Sequence, residues 1–69
     1  DMYREAVAAV LRDKRPTTSY VQRVLRIGYN RAASMIERME REGVITAADH
    51  SGKRQITTRE SRENREDAA

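Results

Sequence analysis

One stretch of the 69-residue sequence, residues 30–41, has side chains whose types and spacing suit hydrogen bonding to base edges. At about 100° per residue in a helix, its apolar side chains fall on one face: Ala32, Ala33, Met35, Ile36 and Met39. The opposite face carries polar and charged side chains: Asn30, Ser34, Glu37, Arg38 and Arg41. Arginine pairs with guanine O6 and N7, asparagine pairs with adenine, and glutamate accepts from cytosine N4. Residues 30–41 are therefore a candidate base-reading helix.

Glu37 is the most informative residue of this face. Phosphates repel a carboxylate, so a nonspecific nucleic-acid binder would gain by losing Glu37. A glutamate at this position therefore favours reading of base edges. The alternative is that Glu37 pairs with Arg41, four residues later, on an ordinary solvated face. Both interpretations remain open on the sequence alone.

Four cations outside this segment are candidate phosphate contacts: Arg23, Arg26, Lys53 and Arg54. Each could equally serve solubility alone, although the formal net charge of +3 favours a polyanionic partner. Tyr20 and Tyr29 are expected to pack their rings in the core and direct their hydroxyls outward. They are too few and too dispersed to stack the bases of a single strand. The pattern favours duplex DNA over RNA.

Three helices are predicted to position these residues. The first covers residues 2–14 and ends because Pro16 disfavours helical backbone before it. The second begins with a capping box formed by Ser19 and Gln22 and stops near Gly28, which can adopt a positive φ. The third covers residues 31–42, with Asn30 as its N-cap.

A small β-hairpin is predicted after the third helix. Gly43 ends that helix, residues 44–46 and 55–57 have strand composition, and residues 49–52 have turn chemistry. The fold class is therefore mainly α with a small β-hairpin, a winged helix-turn-helix of three helices plus wing. The alternative is a three-helix unit whose hairpin binds another protein.

Length and composition restrict the remaining functions. We expect one domain over residues 1–57 and a charged, disordered tail over residues 58–69, because apolar periodicity ends at Ile56. There is no cysteine, and the one histidine, His50, lies in an expected turn, where histidines are usually solvated. We expect no catalytic site, no metal and no cofactor, so the chain is not expected to be an enzyme. No apolar run approaches the roughly 20 residues that span a bilayer.

Several motifs together resemble the C-terminal gamma domain of FtsK/SpoIIIE-type bacterial DNA translocases. They are the opening residues 2–7, the run Val21-Gln22-Arg23, the block from Ile27 to Ala33, the triplet Met35-Ile36-Glu37 and the triplet Gly43-Val44-Ile45. The resemblance extends over residues 2 to about 57, and the block from Ile27 to Ala33 is its most specific part. The resemblance implies a winged-helix domain tethered to a hexameric ATPase motor.

The resemblance also implies a function. The domain would read short, G-rich, polar DNA sequences that orient motor loading, with roles in chromosome segregation and cell division. In proteobacterial relatives it also activates a XerD-type tyrosine recombinase. We expect a cytoplasmic domain that is monomeric alone and multivalent through its motor, whose parent chain is anchored in the bacterial inner membrane.

Asn30 and Glu37 match base-reading positions of that family. Ser34 stands where many relatives carry arginine, so the residue that contacts guanine is left open. Arg31, Arg38 or Arg41 could take that role, or Ser34 could bond to a base or a phosphate directly. The leading hypothesis is sequence-specific duplex binding, and the alternative is a module whose main surface docks on the recombinase.

Overall fold

A computed structural model describes residues 1–57, and they form a mainly helical domain. Its three helices are α1 (Met2–Asp13), α2 (Thr18–Leu25) and α3 (Tyr29–Arg41). The prediction of a mainly α chain with three helices is confirmed. The tail predicted for residues 58–69 lies outside the described residues.

The start of α2 differs from the prediction. Its N-cap is Thr17, whose backbone is extended and whose Oγ1 accepts from the Tyr20 amide at 3.2 Å. The predicted capping box at Ser19 and Gln22 is wrong because Ser19 already lies inside the helix. Thr17 satisfies the amide of the third helical residue, as a threonine N-cap does, so the helix begins before Ser19.

The turn between α2 and α3 also differs. Arg26, with φ 56° and ψ 51°, adopts the left-handed conformation that ends α2. Gly28 has φ −71° and is the N-cap of α3, so the positive φ predicted for Gly28 is wrong. Asn30, the predicted N-cap, lies in the first turn of α3 instead. The earlier end of α2 lets Ile27 pack against the core within the turn.

The core lies between the three helices and the segment that follows α3. Its buried side chains are Ala6, Ala9, Val10, Tyr20, Val21, Ala32, Ile36, Met39 and Ile45. The predicted apolar face of α3 is confirmed, since Ala33 and Met35 are half-buried beside the three buried residues of that helix. Gly43 has a φ of 79° directly after α3, as a helix-ending glycine should.

The two predicted strands are reduced to one antiparallel bridge between Ile45 and Ile56. No strand forms within residues 1–57. The amide of Thr46 donates to the carbonyl of Gln55 at 2.8 Å, and further along the Asp49 amide donates to the Lys53 carbonyl at 2.9 Å, but no regular ladder forms over these described residues. Ala47, Ala48 and Asp49 follow, all weak strand formers. The Asp49 carboxylate accepts backbone amides in the predicted turn and so competes with a ladder.

Candidate nucleic-acid interface

Four side chains form a line along the outward face of α3, here called the outer strip: Asn30, Ser34, Glu37 and Arg41. At 100° per residue they lie within about 60° of one another. All four are exposed, on the side of α3 opposite Ala32 and Met39. The structure thus brings together four of the six predicted base-reading residues.

Glu37 makes no ion pair within residues 1–57, where the pairs are Arg12–Asp13, Arg38–Glu42 and Arg54–Glu40. The pairing with Arg41 that would give an ordinary solvated face is not formed. The outer strip therefore presents an acceptor-only carboxylate between an amide and a guanidinium.

Arg38 lies on the flank of α3 that faces α1. Its guanidinium is 3.9 Å from the centroid of the Tyr3 ring, and its Nε donates to Glu42 Oε2 at 2.9 Å. The Tyr3 hydroxyl donates to the other carboxylate oxygen of Glu42 at 3.1 Å. These three residues form a closed group, here called the Tyr3 cluster, which joins the start of α1 to the end of α3.

The pKa values within the Tyr3 cluster shift as this geometry requires. The hydrogen bond from Arg38, followed by the one from Tyr3, lowers the pKa of the Glu42 carboxyl below its usual value. Burial, followed by the hydrogen bond to Glu42, raises the pKa of the Tyr3 phenol. Arg38 is thus held by Tyr3 and Glu42, about 80° around α3 from Asn30, with its side chain still 50% exposed.

Arg54 is held within the fold. Its Nη1 donates to Glu40 Oε1 at 2.6 Å and to the Thr46 carbonyl at 3.1 Å. The Arg54 side chain is 19% exposed, whereas the Glu40 side chain is 41% exposed. Arg54 therefore fastens residues 46–55, here called the 46–55 loop, to the flank of α3.

Asp49 organises the tip of the 46–55 loop. Its Oδ1 accepts from the Ser51 amide at 2.8 Å, the Ser51 hydroxyl at 2.7 Å and the Lys53 amide at 3.0 Å. The hydroxyl of Ser51, followed by the Lys53 amide, lowers the pKa of the Asp49 carboxyl. The side chain of Lys53 is exposed beside this tip.

The remaining candidate cations lie around the N-terminal end of α3. Arg31 is exposed in the first turn of α3, about 100° from Asn30. Arg23 is exposed in the last turn of α2, and Arg26 lies at its C-cap. These three are close in sequence to the start of the outer strip, whereas Lys53 comes from the 46–55 loop.

The sequence patterns misplaced the side chain of Tyr29 and did not reveal the contacts of Arg38 and Tyr3 with Glu42. Tyr20 is buried as predicted, but the prediction for Tyr29 is wrong, since Tyr29 is 61% exposed at the start of α3. The four-residue spacing of Arg38 and Glu42 could have indicated their pair. No sequence pattern indicates that Tyr3 meets Glu42, 39 residues later.

The described part of the chain shows no group of three or more His, Cys, Asp or Glu side chains placed to hold a metal ion. Over the same residues, each helix is too short or too polar to cross a membrane.

Comparison with known proteins gives a consistent result. A family model described as the Ftsk gamma domain matches residues 1–59. The chain is 64% identical over 56 residues to the DNA translocase FtsK of Caulobacter vibrioides, covering 81% of this chain and 7% of that protein. It is 68% identical over 56 residues to the DNA translocase FtsK of Rhizobium meliloti, covering 81% of this chain and 6% of that protein.

A more distant relative, the DNA translocase FtsK of Rickettsia prowazekii, is 46% identical over 55 residues, covering 80% of this chain and 7% of that protein. The chain thus spans only a small part of the length of the relatives it matches. The resemblance found in the sequence is confirmed, and the chain belongs to the Ftsk gamma domain family.

Proposed function

We propose that this chain is a sequence-specific reader of duplex DNA, working as the gamma domain of a DNA translocase. The observation that carries the proposal is the outer strip, where Glu37 makes no ion pair within residues 1–57. An exposed carboxylate next to phosphates is unfavourable unless a base donor compensates it, and cytosine N4 is such a donor. The strip therefore suits base edges better than backbone.

The proposed fold is a winged helix-turn-helix over residues 1–57. In it α2 and α3 are the two helices of the motif, α3 enters the major groove, and the 46–55 loop is the wing. The short turn from Arg26 to Gly28 and the bridge between Ile45 and Ile56 support this assignment. Residues 58–69 would lie outside the domain.

The outer strip assigns a role to each of its side chains. Asn30 would pair with adenine and Glu37 would accept from cytosine N4. Arg41 is the favoured guanine contact, because it is exposed and lies on the strip one turn after Glu37. Ser34 is short enough to leave room for that guanidinium, or to bond to a base or phosphate itself.

Two further predicted base-reading arginines have less direct roles. Arg31, on the flank of the first turn, would reach a base or a phosphate at the edge of the groove. Arg38 is committed to the Tyr3 cluster, so any contact it makes with a base would require it to leave Glu42. Phosphate contacts would come from Arg23 and Arg26 beside α3 and from Lys53 on the wing.

In the parent chain this reading would give a motor its direction. The relatives are named DNA translocases, and the family resemblance supports short G-rich target sequences that orient motor loading. The free domain would be a monomer, with multivalency supplied by a hexameric motor. The domain itself would be non-catalytic and would act in the cytoplasm, with the parent chain anchored in the bacterial inner membrane.

The same resemblance supports a second role on another face of the domain, activation of a XerD-type tyrosine recombinase. Docking on that recombinase as the main task is the alternative function. A band-shift comparison of a G-rich polar duplex with a scrambled duplex separates the two. We expect clearly tighter binding to the G-rich duplex. Equal, weak binding to both would favour docking.

Lys53→Ala tests the proposed wing contact. It should weaken binding to cognate and scrambled duplexes in parallel and make the salt slope shallower by about one unit, because one phosphate contact is lost. Titrations at several salt concentrations measure this slope. A loss confined to the cognate duplex would assign Lys53 to base reading instead.

A further inference from the structure

The 46–55 loop has little apolar anchoring. Residues 47–53 are all exposed. The loop begins and ends next to the bridge between Ile45 and Ile56, which are its apolar neighbours in the core. A groove of about 260 Å³ separates its tip from the start of α2, lined by Pro16, Thr17, Thr18, Gly52, Lys53 and Arg54. The position of the loop over α3 therefore depends on polar links.

Arg54 supplies the link to α3. One nitrogen, Nη1, contacts both the Glu40 carboxylate on α3 and the Thr46 carbonyl at the other side of the loop. The carboxylate neutralises the guanidinium, and the Arg54 side chain is largely withdrawn from solvent. Lys53, the preceding residue, is exposed. Two adjacent cations thus have different surroundings, one facing the fold and one facing outward.

We infer that Arg54 is a positioning residue: through Glu40 it holds the 46–55 loop against α3, so that Lys53 stands at the DNA backbone. Arg54 then makes no phosphate contact of its own, unlike the role that its charge alone predicts. The part that concerns DNA rests on the proposed function. The link between Arg54 and Glu40 concerns the free domain.

The first experiment therefore uses the 69-residue chain without DNA. Glu40→Gln and Arg54→Ala should both speed hydrogen exchange at the amides of Thr46 and Gln55, by up to about fivefold for an ion pair of this exposure. The amides of α1 should not change. Glu5→Gln, an exposed change of the same charge on α1, is the control. Unchanged exchange at Thr46 and Gln55 in both variants would overturn the inference.

The second experiment adds duplex DNA and depends on a difference of sign. If Arg54 positions the loop, Glu40→Gln weakens binding to every duplex relative to Glu5→Gln. If Arg54 contacts phosphate directly, Glu40→Gln strengthens binding, because it frees the guanidinium and removes a charge that repels phosphates. Stronger binding by Glu40→Gln than by Glu5→Gln would overturn the inference.

The dependence of DNA affinity on salt concentration gives a third, independent test. With Arg54 as a positioning residue, the double variant Lys53→Ala/Arg54→Ala has a slope shallower by about one unit, since only one phosphate contact exists to lose. Two direct contacts would give about two units, which would overturn the inference. If Lys53→Ala alone does not change the salt slope, the proposed contact between the wing and phosphate is wrong. The role of Arg54 is then still decided by the hydrogen-exchange experiment.

Discussion

Glutamates on the flanks of α3 and on its outer strip have different surroundings. On the flanks of α3, Glu42 pairs with Arg38 and Glu40 pairs with Arg54. On the outer strip, Glu37 makes no ion pair within residues 1–57. Helix propensity and spacing do not distinguish these three glutamates. What differs is the element opposite each one, so the outward carboxylate is the one that remains for a partner molecule.

The flanks also show how a small core is supplemented. The Tyr3 cluster joins α1 to α3 by a cation–π contact and two hydrogen bonds to Glu42. Exposed pairs of this kind each contribute little to stability. They connect the start of α1 to the end of α3, the helix that carries the outer strip.

The largest effect should come from the inner face of α3, the structural opposite of the outer strip. Ile36 is 2% exposed in the middle of the core. Ile36→Ala should lower the free energy of unfolding by about 2–5 kcal/mol, because it removes buried methyl groups and leaves a cavity. Urea denaturation measures this. Ser34→Ala on the outer strip is the control and should change stability by less than about 0.5 kcal/mol.

The second-largest effect should be a loss of stability on acidification, which protonates carboxylates that accept hydrogen bonds. Hydrogen bonds and cations lower the pKa values of Glu42, Asp13 and Asp49 in the folded chain, with Arg12 the main cause at Asp13. A carboxyl whose pKa is lower in the folded chain than in the unfolded chain stabilises the fold at pH values above its ordinary pKa. That stabilisation is lost as the pH falls through the pKa of the folded chain. The melting temperature should therefore fall as pH drops below the ordinary values of 4.5 for glutamate and 3.8 for aspartate.

Two variants sharpen the acid prediction. Glu42→Gln removes one of the paired carboxyls and should reduce the loss of melting temperature between about pH 6 and pH 3. Glu37→Gln, which removes a carboxyl that makes no ion pair within residues 1–57, is the matched control, and the difference between the two variants is the quantity measured. A melting temperature that rises on acidification would contradict the expected sign, since lowered carboxyl pKa values favour the folded chain only while those carboxyls are ionised.

Local sequence patterns predicted what depends on local periodicity. The apolar face of α3 and the stop at Gly43 follow from spacing and from one glycine. The left-handed residues Lys14 and Arg26 that end α1 and α2 could not be predicted, because neither residue type favours that conformation. They moved the helix boundaries, and with them the caps at Thr17 and Gly28.

The candidate site divides in the same way. The outer strip could be predicted, since its spacing lies within one helix. The contacts of Arg38 with Tyr3 and of Arg54 with Glu40 could not, because each joins residues far apart in sequence. The net charge counts every arginine equally. The tertiary contacts distinguish arginines that contact the rest of the fold from arginines that face outward.

The smallest effect should follow from shortening the chain. Residues 58–69 contain three arginines, at positions 59, 62 and 65. A chain ending at Thr58 should keep its melting temperature and its preference for cognate DNA, if residues 1–57 are the domain and Glu37 needs no partner beyond them. Calorimetry and band shifts check both. A large drop in melting temperature would move the domain boundary.

The most direct test compares Glu37→Ala with Glu5→Ala in binding to cognate and scrambled duplexes. Glu37→Ala should cost about 1–3 kcal/mol on the cognate duplex only, while binding to the scrambled duplex holds or rises because a charge that repels phosphates is gone. Glu5→Ala removes the same charge from an exposed position on α1 and should leave the cognate preference in place. If Glu37→Ala leaves the ratio of cognate to scrambled affinity unchanged, the outer strip of α3 does not read DNA sequence.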